Sequence, residues 1–218
     1  MPEFKEKVFI SWSAGKDCYL ALLKACAAGL EPGALVTFVS AEGHSMAHGL
    51  PREILRRQAR ALALPSVRVP VTWQGYEKGF QQVAGRLRQK GFTGGVFGDI
   101  NLVAHRQWVE NACSQAGLKS YLPLWGLTEE AVVAELLQKK ARLLIVALRA
   151  DLVQKKWLGR YLNAEFIQEL KANGLSPCGE NGEYHTLVVD GPLFKQKLKV
   201  NFMGHRQEKN HLFLKYSF

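Results

Sequence analysis

The sequence lacks any apolar run long enough to span a bilayer, and its first residues lack the basic and apolar segments of a signal peptide. We therefore expect a cytoplasmic protein with no membrane partner. Its four cysteines form no Cys-x-x-Cys pair, which excludes the usual zinc ribbon and dithiol redox motif and leaves buried free thiols as the expectation. Internal repeats and low-complexity segments are also missing from the sequence.

The charge is predominantly of one sign, with 29 Lys and Arg residues against 19 Asp and Glu residues and a formal net charge of +10. A basic surface suits RNA, an acidic protein partner or nucleotide phosphates, or it simply keeps a protein in solution. The basic residues are scattered, and no dense basic run with interleaved aromatic residues occurs. Charge alone therefore predicts no partner, and nucleic acid binding is not favoured.

Apolar strands alternate with helices through the first half of the chain. Their continuous apolar runs are typical of strands covered on both faces, and the helices between them are long enough for parallel crossovers. The predicted strands are 8–10, 34–40, 67–71 and 95–97, and the predicted helices are 17–28, 52–63, 76–90 and 106–116. This pattern predicts an α/β domain with a doubly wound parallel sheet, whose ligand site lies at the carboxyl ends of the strands.

The second half has a different pattern, in which later strands follow one another without helices between them. Helices are predicted at 128–140 and 164–172, and strands at 143–148, 187–189, 198–202 and 212–216. Thr128 is the predicted N-cap of the first of these helices. Because prolines and glycines interrupt the helical pattern just before it, we predict one domain over residues 1–122 and a smaller α+β domain over residues 123–218.

Residues 13–18, Ser-Ala-Gly-Lys-Asp-Cys, follow the first strand and open the first helix. Small side chains let the backbone approach an anion, which backbone N–H groups, the helix N-terminus and Lys16 would bind. The P-loop of kinases and GTPases is excluded, because Ile10 stands where that motif needs glycine and Asp17 where it needs serine or threonine. A small basic turn without a ligand is the alternative interpretation.

Residues 178–194 form the second informative motif, Cys-Gly-Glu-Asn-Gly-Glu-Tyr-His-Thr-Leu-Val-Val-Asp-Gly-Pro-Leu-Phe. It is a glycine-hinged loop that carries two carboxylates, Glu180 and Glu183, before an apolar strand, and binding loops exploit such hinges. An acidic hairpin facing water is the alternative. A third element, Gly-Asp-Ile at 98–100, ends a predicted strand, where Asp99 either binds Mg²⁺ or caps the next helix.

Together these motifs resemble those of a known family. Residues 13–18 resemble the Ser-Gly-Gly-Lys-Asp-Ser pyrophosphate loop of the ATP pyrophosphatases. Residues 178–194 resemble the Cys-Gly-Glu-Gly-Gly-Glu-Tyr-Glu-Thr…Asp-Gly-Pro-Leu-Phe signature of the diphthine–ammonia ligase family. The Gly-Asp-Ile element, a Glu-Asn-Ala-Cys stretch at 110–113 and Pro-Leu-Trp at 123–125 follow the family's order, so the resemblance extends from residue 8 to about residue 197.

The resemblance implies a fold of the adenine nucleotide alpha-hydrolase (HUP-like) type and an ATP-dependent amidation. In the family a carboxylate is adenylated, ammonia displaces AMP, and pyrophosphate is the other product. The carboxylate is that of diphthine, a modified histidine of translation elongation factor 2. The implied cofactors are ATP and Mg²⁺, with residues 1–122 binding the nucleotide and residues 123–218 binding the acceptor. A homodimer is left open.

The resemblance also assigns roles to individual residues, with Lys16, Asp99 and Glu183 as the catalytic residues and Asp99 as the metal ligand. The implied ATP-binding residues are Ser11, Ser13, Ala14, Gly15, Lys16, Asp17, Cys18, Ser40, Gly98 and Asp99. The implied acceptor-binding residues are His48, Cys178, Gly179, Glu180, Gly182, Glu183, Tyr184 and Thr186. Residues 44–46, beside His48, are expected near the adenine or the acceptor, and His105 near the α-phosphate.

Four positions depart from the family pattern. Ala14 replaces a glycine and is penalised if the backbone there needs a positive φ, and Cys18 replaces a serine that could bond a phosphate. Asn181 and His185 replace a glycine and a glutamate in the second motif. Because short family members also occur in organisms that do not make diphthamide, the acceptor is either diphthine or an unknown small molecule.

Two other functions fit part of the pattern. One is an RNA-modifying ATP pyrophosphatase that adenylates a base and delivers sulfur, which suits the basic charge but usually needs a cysteine pair or an added RNA-binding domain. The other is a non-catalytic sensor of adenine nucleotides, which the altered loop at Ala14 and Cys18 would permit.

Overall fold

The computed structural model describes residues 6–46 and 49–217. The chain divides into two compact units. The first comprises the residues up to Ser13 together with Asp17–Leu127, and the second comprises Ala14–Lys16 together with the residues from Thr128 onward. In the part of the chain that the structure describes, every helix is too short or too polar to cross a membrane.

The first unit contains a five-stranded sheet in the order β3-β2-β1-β4-β5, in which each neighbouring pair is parallel. Its strands are β1 (Lys7–Ser11), β2 (Glu31–Val39), β3 (Ser66–Pro70), β4 (Gly94–Val96) and β5 (Lys119–Tyr121). The strand order reverses between β1 and β4, which is where doubly wound sheets bind their ligands. The predicted α/β fold with a doubly wound parallel sheet is confirmed.

Four helices connect these strands, close to their predicted positions. They are α1 (Lys16–Ala27), α2 (Arg52–Ala61), α3 (Tyr76–Gln89) and α4 (Val103–Gln115). The sequence analysis missed β5, because three residues with the sequence Lys-Ser-Tyr show no apolar run. Buried apolar residues of β1, β2, α3 and α4, together with Phe97 just after β4, belong to one core cluster.

Glycines at the end of β4 allow close packing in this unit. A Cβ added to Gly95 would lie 2.3 Å from the ring of Phe9, whose edge also contacts Phe97. A Cβ added to Gly98 would lie 2.9 Å from the carbonyl carbon of Asp17 and 3.0 Å from the nitrogen of Cys18. Because that contact is with backbone, only glycine lets the end of β4 approach the start of α1 this closely.

The second unit contains a four-stranded antiparallel sheet in the order β7-β6-β9-β8. Its elements are α5 (Glu129–Gln138), β6 (Arg142–Arg149), a short 3₁₀ helix (Lys155–Trp157), α6 (Ala164–Ala172), β7 (Tyr184–Asp190), β8 (Asn201–Glu208) and β9 (His211–Ser217). The hydroxyl of Thr128 accepts a hydrogen bond from the N–H of Ala131 at 3.2 Å, so its predicted N-cap role is confirmed.

The strand predicted at 198–202 was largely wrong. The observed strand β8 begins only at Asn201 and continues to Glu208. It lies at the edge of the sheet, where nearly all its side chains are exposed, so it shows no apolar alternation.

Residues 14–16 are fixed against β7 in the second unit. The N–H of Val188 donates to the carbonyl of Ala14 at 3.0 Å, and Ala14 itself is fully buried. Its φ is +71°, in the left-handed region that glycine adopts freely and alanine does not. Glycine, which stands here in the pyrophosphate loop that residues 13–18 resemble, would adopt this φ without strain, whereas Ala14 is strained.

We expect Ala14→Gly to stabilise the protein by roughly 0.5–1 kcal/mol, because relief of the left-handed strain exceeds the added flexibility of the unfolded chain. Ala134→Gly is the matched control, since Ala134 is exposed within α5 and glycine there should cost about 1 kcal/mol. Chemical denaturation of both variants measures the two effects. Equal destabilisation by the two substitutions would contradict the strain at Ala14.

Candidate functional site

A polar cavity of about 330 Å³ lies at the reversal of strand order in the first unit. It is lined by Ser11, Trp12, Ser13, Asp17, Cys18, Val36, Thr37, Phe38, Ser45, Met46, Tyr76, Gly98, Asp99 and His105. The carboxyl ends of β1 and β4 and the start of α1 therefore contribute to one cavity. Six residues assigned to ATP, namely those at 11, 13, 17, 18, 98 and 99, come together here.

Cys18 takes part in the local hydrogen bonding of this cavity. The hydroxyl of Ser13 lies 3.4 Å from the Cys18 sulfur and donates to it. Cys18 is buried. The Cys18 sulfur thus accepts a hydrogen bond from Ser13. The hydroxyl oxygen of a serine at this position would be a stronger acceptor than sulfur.

Asp99 is the main titratable group where β4 ends. Its carboxylate lies 3.3 Å from Nδ1 of His105 and is 21% exposed. Burial raises the pKa of Asp99, the neighbouring His105 partly lowers it, and the charge of Asp17 adds a smaller increase. The alternative that Asp99 caps the next helix is wrong, because the N-cap of α4 is Leu102 and no side chain caps that helix.

The cavity offers oxygen donors of the kind that Mg²⁺ prefers. The carboxylates of Asp17 and Asp99 and the hydroxyls of Ser11 and Ser13 all line it. Hard divalent cations bind such oxygens, commonly with one or two carboxylates and the phosphates of a substrate. The donor set therefore fits Mg²⁺.

Four of the residues assigned to ATP, namely Ala14, Gly15, Lys16 and Ser40, are not among those that line the polar cavity. Ser40 follows β2, and its hydroxyl donates to the carboxylate of Glu42 at 2.7 Å on the exposed surface. His48 falls outside the described residues.

The sequence analysis missed several cavity residues within apolar segments. Thr37 is buried in β2 and donates from its hydroxyl to the carbonyl of Trp12 at 2.8 Å. The Trp12 indole donates to the side chain of buried Gln58 at 2.9 Å. The single threonine in the otherwise apolar part of β2 is the sequence signal that could have identified this side of the polar cavity.

Lys16 lies among residues of the second motif. Its backbone N–H donates to the hydroxyl of Thr186 at 3.2 Å, and its ammonium lies 3.8 Å from the carboxylate of Glu180. The same ammonium lies over the ring of Tyr184, 5.9 Å from the centroid. Although the two motifs are 170 positions apart in sequence, the central lysine of the first is therefore packed within the second.

Glu183 organises the loop of the second motif. Its carboxylate is almost fully buried and accepts hydrogen bonds from the N–H of Ser176 at 3.1 Å and from the N–H and side-chain amide of Asn181 at 3.0 and 3.1 Å. The catalytic role that the resemblance implies for Glu183 stays a prediction. The geometry favours a positioning role.

The rest of the loop is also fixed by internal contacts. The Tyr184 hydroxyl donates to the carbonyl of Pro177 at 2.6 Å, and the buried Cys178 thiol donates to the carbonyl of Glu129 at 3.3 Å. Gly179 and Gly182 have φ of +70° and +81°, which glycine adopts without strain. Among the predicted acceptor-binding residues that the structure describes, Glu180 has a charged side chain that is partly exposed.

Both halves of the chain match models of one protein family. The model described as the diphthamide synthase N-terminal domain matches residues 6–120, and the model described as the diphthamide synthase C-terminal domain matches residues 128–216.

Individual relatives carry the name diphthine–ammonia ligase. The Homo sapiens protein is 28% identical over 215 residues, covering 87% of this chain and 80% of the relative. The Rattus norvegicus protein is 30% identical over 161 residues, covering 71% and 60%. The Schizosaccharomyces pombe protein is 37% identical over 105 residues, covering 46% of this chain and only 17% of the relative.

A solved structure from Methanocaldococcus jannaschii, described as a predicted subunit of tRNA methyltransferase, is 17% identical. It covers 88% of this chain and 99% of that chain, with a TM-score of 0.46, which is too low to bear on fold or function.

The two family models cover both units of the chain in order, and the curated relatives carry one shared name. The chain therefore belongs to the diphthamide synthase family.

Proposed function

We propose that this chain is an ATP-dependent ligase that adenylates a carboxylate and transfers ammonia to it, as the name diphthine–ammonia ligase describes for its relatives. The observation that supports this most directly is the packing of Lys16 against Thr186 and Glu180. It brings the lysine of the first motif into contact with residues of the second motif. The substrates are ATP, ammonia and a carboxylate acceptor, with diphthine as the first candidate. The reaction would take place in the cytoplasm.

The reaction proceeds in two balanced steps. In the first, an oxygen of the acceptor carboxylate bonds to the α-phosphorus of ATP while the bond to pyrophosphate breaks. In the second, the nitrogen of ammonia bonds to the acyl carbon, AMP leaves with the electron pair, and the nitrogen loses a proton. The acyl-adenylate is needed because the oxygen of a free carboxylate is a poor leaving group.

Lys16 would act in the first step. Its ammonium is buried, and a fixed positive charge in such a site stabilises negative charge as it develops on the departing pyrophosphate. The carboxylate of Glu180 lies 3.8 Å from that ammonium, offsets the cost of burying it and would hold it in position.

Asp99 and Asp17 would hold Mg²⁺, with the Ser13 hydroxyl nearby in the same cavity. When bound, the metal would neutralise charge on the phosphate oxygens of ATP. Glu183 contributes by holding the loop that carries Glu180.

The two other functions considered from the sequence are not favoured by these findings. The relatives carry the name diphthine–ammonia ligase, which describes an amide-forming reaction and not the modification of RNA. A nucleotide sensor would bind ATP without releasing AMP or pyrophosphate. Measurement of both products with ammonia and elongation factor 2 carrying diphthine tests the proposal directly.

Lys16→Met should lower the rate of pyrophosphate release at least about a hundredfold, because it removes the charge that stabilises the leaving group. Lys24→Met, in the last turn of the same helix, is the matched control and should keep the parent rate. Circular dichroism verifies the fold of both variants. A folded Lys16→Met protein with the parent rate would remove Lys16 from the mechanism.

Asp99→Asn should raise the Mg²⁺ concentration needed for half-maximal AMP formation at least about tenfold, because an amide oxygen is a weaker ligand than a carboxylate. Asp151→Asn is the matched control, because Asp151 pairs with Arg149 and neither residue lines the cavity. The assay titrates Mg²⁺ at fixed ATP. If both variants follow the parent curve, Asp99 is not a metal ligand.

Glu183→Gln should lower the free energy of unfolding by roughly 1.5–3 kcal/mol, because the buried carboxylate accepts three hydrogen bonds that an amide cannot all satisfy. Glu180→Gln, at a part-exposed position, should lower stability much less while still reducing AMP formation. Thermal unfolding and product release are measured for both. A Glu183→Gln protein of parent stability but without AMP formation would instead support the catalytic role first assigned to Glu183.

A further inference from the structure

A basic cavity of about 420 Å³ lies in the second unit, at the end of β7 away from Tyr184. Of the described residues assigned to ATP or to the acceptor, none lines it. Its charged lining residues are Arg142, Asp190, Lys197 and Lys199. Three of these are cations and one is a carboxylate, so the cavity has an excess of two positive charges.

The Asp-Gly-Pro-Leu-Phe stretch at 190–194, which closes the second motif, brings these charges together. After this stretch the chain returns to β7, because the N–H of Leu198 donates to the carbonyl of Val189 at 2.8 Å. Lys197 and Lys199, on either side of Leu198, are therefore placed beside the end of β7. The proposed ligase reaction gives this stretch no role.

Arg142 is oriented in the cavity by an aromatic ring. Its guanidinium lies over Tyr161, 4.1 Å from the ring centroid, and Tyr161 also lines the cavity. Stacking occupies the face of a guanidinium and leaves the N–H groups at its edge available to a ligand. Arg142 is thus a preorganised donor for an anion.

The three cations of this cavity differ from other basic residues of the second unit in their pairing. Several of those others form ion pairs with carboxylates, namely Arg149, Lys156 and Lys171. Across the described residues, by contrast, no carboxylate forms an ion pair with any of the three cations. Like charges gathered in one cavity repel each other, and a bound anion would remove that repulsion.

We propose that this cavity binds the phosphate group of a phosphate monoester. An excess of two positive charges matches the charge of about −2 that such a group carries above its second pKa of about 6. A guanidinium binds phosphate oxygens through paired N–H groups, and lysines add point charges. Carboxylates and phosphodiesters carry a single charge and match the cavity less well. The inference does not depend on the proposed ligase reaction.

The test compares methyl phosphate with dimethyl phosphate, which are similar in shape but differ by one negative charge. Each is titrated into the isotope-labelled full chain above the second pKa of the monoester, and the backbone N–H signals of Leu198 and Asn201 report on the cavity. The N–H signals of Ser13 and Gly15 report separately on the first motif, which is also expected to bind phosphate. We expect methyl phosphate to bind the cavity about tenfold more tightly than dimethyl phosphate.

Lys197→Gln should weaken the binding of methyl phosphate about three- to tenfold, and Arg142→Gln about tenfold, because each removes a charged hydrogen-bond donor. Both residues are exposed, so both variants should fold. Lys195→Gln is the matched control, since Lys195 is exposed in the same segment and does not line the cavity. It should bind methyl phosphate as the parent does.

Equal binding of the two probes, or equal weakening by Lys195→Gln and Lys197→Gln, would overturn the inference, because either result would show attraction to the basic surface as a whole. Tighter binding of dimethyl phosphate would overturn it in favour of a nucleic acid backbone. Unchanged signals of Leu198 and Asn201 at millimolar methyl phosphate would also overturn it.

Selective binding of methyl phosphate supports the inference, and a peptide containing phosphoserine then distinguishes the sources of the phosphate group. Tighter binding of the peptide than of methyl phosphate would indicate a phosphorylated protein. Weaker binding of the peptide would indicate a small phosphorylated molecule. Because neither titration requires ATP turnover, failure of this inference is separable from failure of the ligase assay.

Discussion

The arrangement of the second unit depends on the position of residues 14–16 beside strand β7. Two backbone N–H groups fix this segment, one donating from Val188 to Ala14 and one from Lys16 to Thr186. These bonds explain why Ala14 tolerates a left-handed backbone, since a strained residue persists only where its surroundings hold it. They also explain why a long cationic side chain is buried, because the segment cannot move to release Lys16 to water.

A buried lysine requires compensation, and the second motif supplies it. The desolvation of an ammonium is costly unless an opposite charge and polar or aromatic groups replace water. Glu180 and Tyr184 provide these on one side of Lys16. Glu183, three residues after Glu180, is turned the other way and satisfies the backbone of its own loop. The two glutamates, which look equivalent in the sequence, therefore have different roles: Glu180 pairs with Lys16, and Glu183 stabilises the loop.

Much of the first unit could be predicted because its strands are continuous apolar runs and its helices are bounded by glycines and a proline. Those signals predicted the positions of α1 to α4 within a few residues. They also placed residues 13–18 and 98–100 at the reversal of strand order. Short or exposed strands such as β5 and β8 carry no such pattern. The inward turn of Glu183 was beyond prediction, because Ser176 and Asn181 bond its carboxylate through backbone N–H groups, which leave no side-chain pattern. The contact between Lys16 and Thr186 joins residues 170 positions apart, so no local pattern indicates it.

The position of negative charge also bears on the acceptor. The resemblance implies that the acceptor meets Glu180 and Glu183, yet the first carboxylate pairs with Lys16 and the second accepts hydrogen bonds within its own loop. Asp99 is different, since it lines the polar cavity of the first unit, where its carboxylate lies 3.3 Å from Nδ1 of His105. The carboxylate of Asp99 therefore faces the cavity at the reversal of strand order, whereas those of Glu180 and Glu183 stabilise Lys16 and the loop of the second motif.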